Sequence, residues 1–237
     1  MASKETAKTV VIEEEKKQQE EEEAANAVGG GGDEADAPPQ IPAEEEPDTV
    51  GMYSVWAIPP DYVLPSLHLV MTQLSERYAG PPFQPHVTVL GAHPVLRSKA
   101  QQSLQQLCAT TLPYTFKITG VTTDLKFHQC VYLTMEPTQE VVDAHIQAQG
   151  CFGFLEIGDD TTTMRKEYMP HMSLLYGHLL EEELEEAKAQ VKAEHGKQLI
   201  GMQFQVSSLG LYCTDPADVL CKSWKMVCQL PLRAPKR

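Results

Sequence analysis

The pattern of apolar and polar positions divides the chain at about residue 50. Before that point large apolar side chains are almost absent, and the sequence runs through blocks such as EEEKKQQEEEEAANA and GGGGDEADAPPQIPAEEEP. Such a low-complexity composition has too little apolar surface to form a core. Beyond it, apolar positions recur at helix or strand spacing. We therefore predict a disordered acidic tail over residues 1–50 and a folded domain over residues 51–237.

The periodicity of the folded part predicts a mixture of helices and strands. Helices are predicted over about 62–79, 97–110, 138–150 and 180–195, the last with Gly196 as its C-cap. Strands are predicted over about 52–58, 85–91, 114–121, 127–135, 170–177, 202–211 and 223–230. Residues 153–168 follow neither period and are predicted to form a loop. Adjacent strand pairs favour an α+β fold over a doubly wound α/β fold.

Two of the predicted strands carry the same short motif. One reads PHVTVLG and contains His86 and Thr88; the other reads PHMSLLYG and contains His171 and Ser173. Side chains at i and i+2 of a strand point to the same face. Each copy therefore sets an imidazole beside a hydroxyl, while the apolar residues between them face a core.

The repeated motif indicates acid–base chemistry on a phosphate. Two imidazoles can supply one general base and one general acid near neutral pH. Two hydroxyls can donate hydrogen bonds to the non-bridging oxygens of an anion. These are the groups needed to hydrolyse a phosphodiester without a metal. The two motifs are equivalent in this respect, so either histidine can be the base.

The charge of the chain is concentrated in the tail. Residues 1–50 contribute −11 of the formal net charge of −14, which leaves −3 for the folded part. A general nucleic-acid surface would need a basic stripe. A substrate phosphate must therefore find local positive character, for which Lys126, Arg165, Lys166 and the two histidines are candidates. No secretory or transit signal and no membrane-spanning run are evident, so we expect a cytoplasmic protein, with the nucleus as an alternative.

Further strings extend the match beyond the two motifs. YSVWAIP at 53–59, PHVTV at 85–89, QCVYL at 129–133 and YMPHMSLLY at 168–176 stand in order along the folded part. Together they resemble the plant-type cyclic nucleotide phosphodiesterases of the two-histidine (2H) phosphoesterase superfamily. The resemblance implies a bilobal α+β fold, with two antiparallel sheets and flanking helices around a central cleft, and one motif from each lobe.

The resemblance also implies an activity. The family opens ADP-ribose 1″,2″-cyclic phosphate to ADP-ribose 1″-phosphate, and nucleoside 2′,3′-cyclic phosphates to nucleoside 2′-phosphates, which links it to RNA and tRNA splicing metabolism. It requires no metal and no cofactor. By match to the family pattern, the catalytic residues are His86 and His171, and the substrate-binding residues are Thr88, Ser173, Tyr176, Trp56 and Phe127. We expect a monomer that acts on a small cyclic phosphate, without extended nucleic acid or a membrane as partner.

Other functions remain open from the sequence. A 2′–5′ or 3′-end RNA phosphodiesterase or ligase-like enzyme would share the fold but would need a basic groove. A non-catalytic nucleotide-binding module is disfavoured by the two complete motifs. A metal hydrolase is disfavoured because neither motif has zinc-ligand spacing. Of the family's paired cysteines, Cys108 matches, but the partner position is Tyr212 with Cys213 next to it, so the resemblance does not establish the family's disulfide here.

Overall fold

Antiparallel strands form the frame of the computed structural model, which describes residues 48–155 and 161–234. The strands are β1 (Val50–Ala57), β2 (Val87–Leu96), β3 (Tyr114–Thr123), β4 (Val131–Met135), β5 (His171–Leu175), β6 (Gln203–Val206), β7 (Ser208–Cys213) and β8 (Lys225–Pro231). They form two four-stranded sheets: sheet A in the order β2-β1-β7-β8 and sheet B in the order β5-β4-β3-β6. The strands that carry the two motifs, β2 and β5, are each at the edge of their sheet.

Helices connect the strands where the apolar spacing predicts them. They are α1 (Leu64–Tyr78), α2 (Arg97–Thr110), α3 (Gln139–Cys151), α4 (Thr162–Glu167), α5 (Glu181–Glu194) and α6 (Gly196–Leu199). In α1, a proline stands in the first turn, where no intrahelical partner for its nitrogen is needed, and one apolar stripe is buried. The acidic first turn of α5 complements the helix dipole, and Glu183 accepts from the backbone N–H of Leu180 at 2.8 Å.

Two helices contact the sheet to which their neighbouring strands do not belong. Helix α1 connects β1 and β2 of sheet A but packs against β5 of sheet B. Helix α3 connects β4 and β5 of sheet B and contacts both sheets: it packs against β3 of sheet B and against α2 and β2 on the side of sheet A. Helix α2 covers sheet A, and α5 and α6 cover β3 of sheet B. Helix α1 therefore completes the opposite lobe, and α3 joins the two lobes.

Four details of the predicted elements are wrong. In residues 127–135, Phe127–Gln129 form a 3₁₀ turn and only Val131–Met135 form a strand. Residues 202–211 form two strands in different sheets, with the chain crossing between sheets at residue 207. The predicted loop at 153–168 contains α4, and its residues 156–160 lie outside the described part. Gly196 is the first residue of α6 rather than a C-cap.

The ordered domain extends upstream of the predicted boundary. Strand β1 begins at Val50, and the carboxylate of Asp48 accepts from the backbone N–H and the hydroxyl of Ser98 at 2.9 and 2.6 Å. These bonds satisfy groups at the start of α2 that have no partner within the helix. The remainder of the predicted tail, residues 1–47, lies outside the described residues. Among the residues described, no helix has the length and apolar character to cross a membrane.

A close approach after α1 brings the two lobes together beside the first motif. Helix α1 ends at Tyr78, and the next residue, Ala79, turns the chain with a φ of 55°. A Cβ on Gly80 would lie 2.7 Å from the carbonyl oxygen of Tyr176, so only glycine fits against the end of β5 without a shift. The segment that follows carries Phe83 and His86 to the junction between the sheets.

Candidate active site

Both motifs open onto one cavity between the two sheets, with a volume of about 470 Å³. The apolar residues of the motifs point away from it, as the strand pattern predicts: Val87, Val89, Met172 and Leu174 are at most 1% exposed. All seven site residues expected from the sequence line this cavity: Trp56, His86, Thr88, Phe127, His171, Ser173 and Tyr176. The fold therefore brings together residues from four separate stretches of the chain.

His86 is held rigidly on the side of sheet A. Its Nδ1 lies 2.6 Å from the carbonyl oxygen of Gln84, which can only accept, so Nδ1 carries the proton and Nε2 is left as an acceptor. The ring is 5% exposed and stacks on the indole of Trp56. Burial lowers the pKa of His86 to about 3, against the opposing effect of the Gln84 carbonyl, and nearby His171 lowers it further. His86 is therefore neutral at pH 7 in the free protein.

His171 is held in the same way on the side of sheet B. Its Nδ1–H donates to the carbonyl of Met169 at 3.0 Å, two residues upstream, as in the first motif. Burial is the main cause that lowers the pKa of His171; Lys126 lowers it further. Its Nε2 lies 3.0 Å from the side-chain amide nitrogen of Gln129, which donates to the neutral imidazole. If the amide group rotated, its oxygen would accept a hydrogen bond from the protonated His171. Gln129 can therefore hydrogen-bond to His171 in either protonation state.

The two motif hydroxyls differ in what they bond. Ser173 donates its hydroxyl hydrogen to the backbone carbonyl of His128 at 2.7 Å, which fixes the 3₁₀ turn against β5. Within the described residues, the hydroxyl of Thr88 makes no hydrogen bond to protein. Thr88 is therefore ready to donate to a ligand, whereas Ser173 must first rotate.

Tyr176 lies at the boundary between the lobes. Its ring stacks on Phe83 with centroids 3.8 Å apart and planes 9° apart, and Phe127 lies at 6.2 Å. Burial raises the pKa of Tyr176, and the nearby Ser173 hydroxyl opposes that shift. The phenol therefore stays protonated and can donate to a phosphate oxygen.

Among the further lining residues are Gln129, His128 and Trp224, which are not among the site residues expected from the sequence. The Nε2 of His128 is buried and makes no hydrogen bond within the described residues, and burial lowers the pKa of this histidine. The indole of Trp224 comes from the β7–β8 connection and stacks over the His128 ring at 5.8 Å. Trp224, from a connection of sheet A, thus covers the 3₁₀ turn that precedes β4 of sheet B.

Positive charge in the cavity is limited. Among its described lining residues, Lys126 is the only lysine or arginine; its side chain is 73% exposed and lies 3.3 Å from Asp124. The expectation for Arg165 and Lys166 is wrong. Arg165 pairs with Asp143 of α3 at 2.6 Å, and Lys166 is exposed on α4; neither lines the cavity. The histidines are therefore the main source of positive charge once they are protonated.

No group of three or more His, Cys, Asp or Glu side chains with the arrangement of a metal site occurs in residues 48–155 and 161–234. The six cysteines, all in the described residues, are unpaired thiols. At the position of the expected cysteine partner, Tyr212 stacks on Trp56 with centroids 3.9 Å apart.

Known proteins match this chain in both sequence and fold. The model of a family described as cyclic phosphodiesterase-like protein matches residues 52–230. The cyclic phosphodiesterase of Arabidopsis thaliana is 34% identical over 176 residues, which cover 74% of this chain and 92% of that protein.

Two solved structures share the arrangement of helices and strands. LigT of E. coli in its apo form gives a TM-score of 0.51 at 13% identity, covering 78% of this chain and 99% of that one. A protein of Thermus thermophilus gives a TM-score of 0.52 at 13% identity, covering 78% of this chain and 100% of that one. At such identities the likeness is one of fold, and it confirms the predicted α+β class with two antiparallel sheets.

Proposed function

The chain belongs to the cyclic phosphodiesterase-like family of the 2H phosphoesterases, and we propose that it opens cyclic phosphodiesters by metal-independent hydrolysis with two histidines. The proposed substrates are ADP-ribose 1″,2″-cyclic phosphate and nucleoside 2′,3′-cyclic phosphates, with ADP-ribose 1″-phosphate and nucleoside 2′-phosphates as products. One observation supports this most directly: two imidazoles fixed through Nδ1 line one cavity with Thr88, Ser173 and Tyr176.

In the proposed reaction, a water molecule attacks phosphorus as the bond to one ribose oxygen breaks. One histidine takes the water proton at Nε2, and the other, as imidazolium, delivers a proton from Nε2 to the leaving oxygen. The net change is the addition of one water across the P–O bond. Thr88 and Tyr176 donate to the non-bridging oxygens as their charge grows, and Ser173 joins them after its hydroxyl turns from the His128 carbonyl.

The substrate itself supplies part of the electrostatics. Burial keeps both histidines neutral in the free protein, yet the acid must be protonated. An anionic phosphate within a few ångströms stabilises an imidazolium and raises its pKa. We therefore propose that the substrate binds together with a proton, which arms one histidine as the acid and leaves the other as the base.

The extent of the groove supports a second candidate, a phosphodiesterase acting on 2′–5′ linkages or 3′ ends of short RNA. The catalytic cavity shares Trp56 and Trp224 with a neighbouring cavity of about 800 Å³. On its other side it shares Thr88, Lys126 and His171 with one of about 520 Å³. The lining residues of these neighbours include both lysine and glutamate, which disfavours a long anionic strand.

A substrate panel tests the proposal. ADP-ribose 1″,2″-cyclic phosphate, the four nucleoside 2′,3′-cyclic phosphates and short RNAs are incubated with the full chain, and phosphorus NMR identifies the product. Each of His86→Ala and His171→Ala should lower kcat by roughly 10²–10⁴-fold. The double variant should lose far less than the product of the two effects. Normal turnover in either single variant, or no turnover of any cyclic phosphate by the wild type, would contradict the proposal.

A further inference from the structure

Two hydrogen bonds at the outer edge of β2 have no part in the proposed reaction. The hydroxyl of Tyr168 donates to the backbone carbonyl of Thr88 at 2.9 Å, and Nδ1–H of His145 donates to the carbonyl of Val89 at 2.8 Å. The two rings lie face to face, with centroids 4.0 Å apart and an interplanar angle of 0°. The two donors thus form one unit that reaches consecutive carbonyls of the strand carrying Thr88.

Strand β2 is irregular at this point. Trp56 of β1 is opposite Thr88, and Val55 is opposite Leu90, so Val89 has no partner on β1. A bulge of this kind re-aims the neighbouring side chains and leaves the local backbone without its regular ladder. The direction of the Thr88 side chain therefore depends on contacts from outside the sheet.

The same unit connects the two motifs. Tyr168 stands in the segment that leads directly into His171, whereas the carbonyl that it contacts belongs to Thr88 of the other motif. Burial raises the pKa of Tyr168, so its hydroxyl keeps the proton that this bond needs. Both Tyr168 and His145 line the neighbouring cavity rather than the catalytic one, which places them beside the site without contact to the reacting phosphate.

We propose that Tyr168 and His145 are positioning residues that hold the Val89 bulge, aim the Thr88 hydroxyl at the phosphate and set its distance from the second motif. This inference rests on the proposed role of Thr88 as a phosphate donor. It predicts that the loss of either hydrogen bond lowers kcat because the Thr88 hydroxyl is no longer directed at the phosphate. Substrate affinity and the fold should be retained.

Single variants give the first test, with a nucleoside 2′,3′-cyclic phosphate as substrate. Tyr168→Phe and His145→Leu each remove one donor and should lower kcat about tenfold, with KM within about twofold of wild type. His145→Asn keeps an N–H near the position of Nδ1 and should recover most of that loss. Tyr114→Phe is the matched control: its hydroxyl is buried without a hydrogen-bond partner in the described residues, so its removal should leave kcat unchanged.

A double-mutant cycle gives the second test and separates this inference from the proposed function. In a Thr88→Val background, Tyr168→Phe should lower kcat by no more than about twofold, while the two losses of melting temperature add. If Thr88→Val alone leaves turnover unchanged, the proposed role of Thr88 fails. If Thr88→Val lowers kcat but Tyr168→Phe does not, the positioning role is overturned. It is also overturned if the double variant loses kcat by the product of the two single effects.

Discussion

The imidazole of His86 lies flat on the indole of Trp56, with ring centroids 3.5 Å apart and planes inclined by 6°. The stack prevents rotation of the ring and excludes water from one of its faces. Together with the bond from Nδ1 to the Gln84 carbonyl, it directs Nε2 in a single orientation. The buried His86 imidazole is therefore stable as a neutral ring, and its protonation costs free energy. Both the stability of the fold and the rate of catalysis should depend on pH for this reason.

The stability of the protein should depend on pH through His86. The unfolded chain binds this proton near pH 6.5, whereas the folded protein binds it only at about pH 3, so the free energy of unfolding falls as the pH drops through that window. Between pH 7 and pH 4, wild type should lose roughly 2–4 kcal/mol more than His86→Asn, which cannot titrate. Urea unfolding followed by circular dichroism at both pH values measures the difference. If wild type and His86→Asn lost the same free energy of unfolding between these pH values, the burial argument would be contradicted. The control is His68→Asn, on the exposed side of α1, which should lose as much as wild type.

The pH dependence of catalysis should differ between free and bound enzyme. Burial lowers the pKa of both histidines in the free protein, so the alkaline limb of kcat/KM should lie below pH 6.5. In the complex the phosphate raises the pKa of the acid, so the alkaline limb of kcat should lie at higher pH. Steady-state kinetics from pH 4 to 9 locate both limbs. The reverse order would show that the proton does not enter with the substrate.

Chelators should leave the rate unchanged. The proposed acid and base are side chains, and neither step uses a metal-bound water. Assays with and without EDTA on the same cyclic phosphate check this directly. A rate abolished by EDTA and restored by zinc or manganese would instead indicate a metal hydrolase.

The two motif hydroxyls should contribute unequally. Thr88 has no protein partner for its hydroxyl within the described residues, and Thr88→Val removes the donor while keeping the shape. Loss of a charge-assisted bond of roughly 1.5–3 kcal/mol should reduce kcat/KM by about 10–150-fold, mainly through kcat. Ser173→Ala should cost less, about 3–10-fold, because the hydroxyl already donates to His128 and gains little by turning to the phosphate. Equal losses would show that Ser173 rotates freely when the substrate binds.

Truncation at two nearby points should separate the acidic segment from the domain. Deletion of residues 1–46 should keep kcat within about threefold of wild type and leave the melting temperature unchanged, since this segment has little apolar surface. Deletion of residues 1–50 also removes Asp48, which bonds Ser98, and Thr49, whose carbonyl accepts from the backbone of Arg97. The second deletion should therefore lower the melting temperature. Asp48→Ala in the full chain should reproduce part of that loss, and equal melting temperatures for both truncations would contradict it.

The part of the site that could be predicted from the sequence is the part with a short-range pattern. The i, i+2 spacing places His86 and Thr88 on one face and buries Val87 and Val89 on the other, and the structure has this arrangement. Helical stripes are equally local, so the main helices lie close to their predicted ranges.

The remainder of the site depends on long-range order. Gln129 and His128 reach the cavity because the segment before β4 turns instead of continuing as a strand, and Trp224 reaches it through the β7–β8 connection. Neither feature has a local signature. Apolar spacing also marks which face of α1 is buried but not which sheet covers it, so the packing of α1 on the opposite lobe is not predictable from periodicity.

The placement of α1 and α3 makes the protein cooperative as a whole. Because α1 lies on the sheet of the opposite lobe and α3 contacts strands of both sheets, neither lobe can lose its structure without exposing apolar surface of the other. A half-unfolded molecule that keeps one histidine in place would expose both sheets at once and should not accumulate. The loss of activity and the loss of secondary structure should therefore follow a single denaturation curve, which makes turnover an all-or-none measure of the native state.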